Sequence, residues 1–203
     1  MFFTNWSLKK MQRQANDAYR ANREANMAMW ALQETMGDFL EQEQLGRLER
    51  TSFHLKDRNC KNLDELYDKY AKRAFDALSV ELKRILKNPA FAFESEIFHR
   101  TAEDFHLSLP EMKDLPEEVY KLSKRYGDLI NSWNSEKLNK RIALVNQLGK
   151  DANKLLRDIM LFLHWLGSLF MERKREMYIL KTSDDYVRQE MEREKREVDK
   201  EAA

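Results

Sequence analysis

At 203 residues the chain has room for one domain or two small ones, and it is long enough to bury a sizeable core. Five glycines and three prolines leave little turn chemistry for a β-rich fold, and the charged fraction of 35% is well above the usual quarter, so the composition points to an all-α protein. The 36 basic and 35 acidic residues nearly cancel, which leaves no basic excess for a nucleic-acid partner. The basic clusters Lys72-Arg73, Lys83-Arg84 and Arg173-Lys174-Arg175 each have acidic residues close by.

Cys60 is the only cysteine, so no intrachain disulfide can form, and a reducing compartment is expected. The longest mostly apolar stretch, Ile159 to Met171, spans 13 residues, where a membrane span needs about 20. Lys9-Lys10 follows the first aromatics too soon for a signal-peptide core. A cytoplasmic protein is therefore the expectation. The alternative is a peripheral membrane protein: Phe2, Phe3 and Trp6, with Lys9, Lys10 and Arg13 behind them, resemble an interfacial anchor. The simpler reading has these aromatics capping one end of a bundle.

The first predicted helix runs from about Asn5 to near Arg50, with Gly37 and Gly46 weakening its last turns. Leu8, Met11, Ala15, Ala18, Asn22, Ala25, Met29, Leu32, Met36 and Phe39 recur at spacings that alternate between 3 and 4, and only Asn22 is polar. Such a coiled-coil-like seam asks for a long partner helix. Its alanines, with Ala21 and Ala28 beside them, ask for a partner lying close. Asn22 either sets register and helix number or touches solvent where the seam is wet. Met27 and Trp30 fall off the seam and need a second apolar neighbour.

Leu45, Leu48, Phe53 and Leu55 suggest a less regular continuation into a polar connector around Lys56 to Lys61. His54 has no constellation, and Cys60 reads as a plain loop or helix-start residue. Asn62-Leu63-Asp64-Glu65 is a capping box opening a second helix, about 62–88, whose core positions run from Leu66 to Ile85 and include Ala77. Asn88-Pro89 ends it. A phenylalanine-rich third helix follows, about 90–109. It carries Glu96-x-x-His99 and Glu103-x-x-His106, the spacing by which helical bundles hold paired metal ions. Those four residues share one face, yet the apolar stripe of the same helix lies about 100° away. The Glu/His face therefore reads as solvated, with a metal-binding bundle as the alternative function.

Asp114-Leu115-Pro116-Glu117 is a second capping box, opening a long helix, about 117–181. Val119, Leu122, Tyr126, Leu129 and Trp133 set one register. The stripe then resumes out of phase at Leu138, Ile142, Val145, Gly149, Ala152, Leu156, Ile159, Leu163, Leu166 and Phe170, so a kink or break is expected at 131–135. The second stripe mirrors the first in length, and antiparallel packing of the two sets alanines against bulky side chains. His164 is expected to be buried and hydrogen-bonded. Trp165-Leu166-Gly167 reads as continuous helix. Residues 183–203 form a charged C-terminal helix or tail after a bundle of residues 1–182.

The expected fold is an elongated all-α bundle on two long helices. No glycine-rich phosphate loop, nucleophile arrangement or isolated carboxylate pair stands out, so neither an enzyme nor a cofactor is expected. The leading functional expectation is a non-enzymatic scaffold or adaptor that assembles with a protein partner or with itself. Met27, Trp30, Trp165 and Phe170 are its candidate partner surface.

Overall fold

The computed structural model describes residues 5–88 and 109–201, and among them every regular element is helical. α1 (Asn5–Gln44) follows the predicted seam closely. Met11, Ala18, Asn22, Ala25, Met29, Leu32, Met36 and Phe39 are all buried, while Ala15 is only half-buried. The helix stops six residues before Arg50, because Gly46 adopts the left-handed conformation at φ 68°. The Arg47 N–H then donates to Gln42 O at 2.8 Å and the Gly46 N–H to Glu43 O at 3.1 Å, which satisfies two terminal carbonyls. Gly37, by contrast, is carried inside the helix.

The less regular continuation expected around Phe53 and Leu55 is a short helix of its own, α2 (Phe53–Asp57). Ser52 caps it by accepting from the Leu55 N–H at 3.2 Å. α3 (Leu63–Leu66) begins at the predicted capping box: Asn62 Oδ1 accepts from the Glu65 N–H at 3.0 Å, and Glu65 reaches back to the Lys61 N–H at 2.7 Å. A π turn (Tyr67–Ala71) then joins α3 to α4 (Lys72–Leu86). Beyond it the expected Ala74, Leu78, Leu82 and Ile85 are buried together with Ala71 and Phe75, while Ala77, expected in the core, is exposed because it falls on the side of α4 away from that stripe.

α5 (Leu109–Asn131) starts well before the expected capping box, and Pro116 sits inside it rather than in its first turn. Met112 and Leu115, both buried, account for the earlier start: packing outweighs the penalty for an interior proline. The Ser79 hydroxyl donates to the Pro116 carbonyl at 3.0 Å across the α4–α5 seam. The expected kink at 131–135 is a full break, after which α6 (Leu138–Glu201) runs 64 residues, or roughly 96 Å. Residues 183–201 continue α6, the helical of the two forms expected for them.

Among the described residues the four longest helices, α1, α4, α5 and α6, form a ring in chain order, each antiparallel to its neighbours. Gln14 of α1 bonds Asn88 just past the end of α4, and Tyr67 Oη, in the π turn before α4, donates to Ser123 O of α5 at 2.8 Å. Arg125 meets Asp151 at 2.7 Å across α5 and α6, and Arg141 meets Glu43 at 2.5 Å to close α6 onto α1. This pairing sets the alanines of α1 level with the bulky 156–166 stretch of α6, as expected. One continuous cluster of apolar side chains fills the interior.

Polar groups cross this core at few points. Gln33 contacts Tyr126 Oη at 2.7 Å, and turning its amide also lets it accept from Gly149 N and donate to Val145 O, both at 3.3 Å. Burial pushes the Tyr126 phenol up to about 12. Arg141, itself buried, lies over the Trp133 ring at 5.2 Å. Asn22 is fully buried from bulk solvent, and among the described residues neither amide atom reaches a protein partner.

Candidate interaction surface

The seam of α1 faces its helix neighbours, which leaves Met27 and Trp30 on the outer side of the helix. Both are on the surface, 53% and 56% exposed. α2 lies beside them. Its first turn directs Phe53 outward, 71% exposed, and tucks His54 and Leu55 inward. The buried His54 ring meets Trp30 edge-on at 4.9 Å and Phe53 at 5.4 Å, so the three rings form one contiguous group. A chain of buried hydroxyls holds α2 against α1 one turn beyond Trp30. Thr35 Oγ1 donates to Ala31 O at 2.8 Å and lies 3.1 Å from Ser52 Oγ, the cap of α2.

Opposite charges flank the aromatic group on its two sides. Toward α4, a groove of about 330 Å³ has Met27, Ala28 and Ala74 in its floor, and Arg58, Lys69 and Arg73 outnumber Glu24 on its rim. Tyr70 donates to Arg58 O at 3.1 Å, and the Arg58 guanidinium lies over the Tyr70 ring at 4.8 Å. On the other side, burial first and then Glu34 and Glu41 raise the Asp38 carboxyl above its usual range, with His54 opposing them. The combination of open aromatic rings, a shallow apolar floor and a charged rim is suited to holding a polypeptide surface.

Of the candidate partner residues, the structure brings Met27 and Trp30 together and separates the other two from them. Trp165 is not on a surface: it is fully buried and stacked on Phe162 at 5.9 Å. It belongs to a second buried row on α6, Phe162, Trp165 and Leu169, beside the seam. Phe170 is half-buried against the core. The α6 seam residues Leu156, Ile159, Leu163 and Leu166 are buried as expected, and Trp165 to Gly167 are continuous helix. His164, expected to be buried, is exposed, because its position on α6 falls between the two buried rows and solvent. Cys60 is buried, and its burial pushes the thiol up, away from the reactive thiolate.

Glu96, His99, Glu103 and His106, together with Phe2 and Phe3, lie outside the described residues, as does the side chain of Trp6. Among the described residues no group of three or more His, Cys, Asp or Glu side chains is placed to hold a metal ion, and no described helix is long and apolar enough to cross a membrane. Sequence alone gives Phe53 only as part of an irregular continuation of the first helix and His54 as a residue with no constellation, so neither is marked as a surface site. The signal that could have found them is Ser52, a favoured N-cap residue, three positions before Leu55. The chain is thus an all-α helical bundle with an aromatic surface at the α1–α2 corner. No protein-family model, curated protein or solved structure matches it.

Proposed function

We propose that the protein is a non-enzymatic helical adaptor that recruits a protein partner through the corner formed by α1 and α2. One observation carries this reading: Trp30 and Phe53 stay 56% and 71% exposed while the buried His54 ring fixes both in place. Rigid, open aromatics lose little conformational entropy on binding, and covering one large apolar side chain is worth about 1.5–3 kcal/mol. The adjoining groove, with its apolar floor and mostly basic rim, favours a partner helix that presents apolar side chains beside carboxylates.

Site-specific photocrosslinking in the cell of origin tests the proposal. A crosslinking residue at position 30 or 53 is expected to trap one discrete partner, and the same residue at exposed Lys150 is not. The double variant W30A/F53A should lose that partner while keeping the helical spectrum and thermal midpoint of the wild type. Equal labelling from all three positions, or a partner that still copurifies with the double variant, would refute the reading.

A further inference from the structure

The α5–α6 seam opens on its solvent side into a groove of about 650 Å³. Met112, Leu115 and Leu122 from α5 and Leu155 and Leu161 from α6 make its walls apolar. Glu118 is used by Lys121 at 2.8 Å and Asp151 by Arg125 at 2.7 Å. Glu111, Asp114 and Asp158, which line the other end, form no ion pair among the described residues. Lys154 also lines the groove, so with three carboxylates against that one further cation this end is apolar and net acidic.

The same chain carries a segment of matching chemistry. Beyond the groove, Met171, Tyr178 and Ile179 of α6 are 60%, 70% and 51% exposed, and Lys174, Arg175 and Lys181 are exposed among them. Met171, Arg175, Tyr178 and Thr182 follow one another at helical spacings, with Lys174 and Ile179 on either side. This segment cannot reach its own groove, because α6 is one unbroken helix from Leu138 to Glu201.

We infer that the groove is filled by a second copy of the chain, each molecule laying its Met171–Thr182 segment into the α5–α6 groove of the other. Leu161, His164, Ser168, Met171, Arg175, Tyr178 and Thr182 make one unbroken row along the open side of α6. Running two such rows antiparallel about a twofold axis near Ser168 brings Arg175 of one copy beside Leu161 and Asp158 of the other. Small residues stand at the crossing. A Cβ added to Gly167 would meet nothing within 4 Å, and Ser168 follows it, so the two helices can approach closely there. Both contacts are equivalent, and their centres lie roughly 30 Å apart along α6. This surface is separate from the aromatic corner, so neither proposal depends on the other.

Charge swapping with light scattering after size exclusion tests the assignment. The wild type at about 50 μM should elute with twice the 24.4 kDa chain mass. K174E/R175E should raise the dissociation constant by at least about tenfold, and so should E111K/D158K. Mixing the two variants should restore a dimer, since each groove then meets a segment of opposite charge. All four positions are exposed or half-buried, so a wild-type circular dichroism spectrum is expected of each variant. W30A/F53A should dimerise normally. A monomeric wild type, a dimer indifferent to both charge variants, or a mixture that stays monomeric would each overturn the inference.

Discussion

Replacing Asn22 with leucine should stabilise the protein. Asn22 is fully buried in the α1 seam, and among the described residues neither its amide nitrogen nor its oxygen reaches a protein group. A buried polar group in that state costs about 1–3 kcal/mol relative to a hydrogen-bonded one. Leucine branches at Cγ as asparagine does but is bulkier, so overpacking among the neighbouring alanines offsets part of the gain. The expected net gain is about 1 kcal/mol, which for a chain of this size raises the thermal midpoint by roughly 2–4 °C. Thermal unfolding followed by circular dichroism measures it, and guanidinium unfolding at unchanged m value checks that only stability has moved. Asn22→Ala serves as the comparison, because it removes the amide but leaves a void among Ala18, Ala21 and Ala25, so its gain should be smaller or absent. A leucine variant no more stable than wild type would refute the reasoning, since the amide would then be contributing as much as a packed apolar side chain.

Three further outcomes follow from the core. A Cβ on Gly127 would fall 2.9 Å from the Tyr67 hydroxyl, so G127A should destabilise by about 1 kcal/mol despite alanine's better helix propensity, and less in a Y67F background; a double-mutant cycle reads the coupling. The Tyr126 phenol, raised from its ordinary 10 to about 12 by burial, favours the folded state while protonated. Stability should hold up to about pH 10 and fall by roughly 2–3 kcal/mol as pH rises to about 12, a loss that Y126F should not show in alkaline denaturation. The Arg141 guanidinium beside Glu43 holds that carboxyl below its usual range. Its contribution is present above the ordinary carboxylate value and is lost as pH falls through the lowered one. R141M should therefore flatten the acid limb of a stability–pH profile and lower the midpoint at neutral pH, because Trp133 also loses the cation stacked on it.

The residues that were legible in sequence are those whose partners repeat with the helix itself. The α1 seam from Met11 to Phe39 and the α6 stripe from Leu138 to Leu166 are periodic over many turns, and periodicity alone indicates burial. Departures arise where one tertiary contact outweighs a local rule. Pro116 reads as a helix start until Met112 and Leu115 are seen to be buried a turn earlier. The π turn at Tyr67–Ala71 lies where Tyr67 reaches across to Ser123, a long-range bond with no local trace. Trp165 reads as a surface anchor from the Leu138–Phe170 stripe alone, whereas α6 buries a second row, Phe162, Trp165 and Leu169, beside it. At the candidate surface, Met27 and Trp30 were visible as off-seam apolar residues. Phe53 and His54 were not, since five residues of helix leave no measurable period.

The ring has a consequence for how the chain assembles. Each of α4, α5 and α6 docks on the long helix just before it in sequence, so most loops to be closed are short and cheap in entropy. The single exception is the seating of α6 on α1, which joins Glu43 to Arg141, 98 positions apart. Until α6 has emerged during synthesis, the alanine-rich side of α1 has no lasting cover, and completion of the barrel-like circuit waits on the final helix.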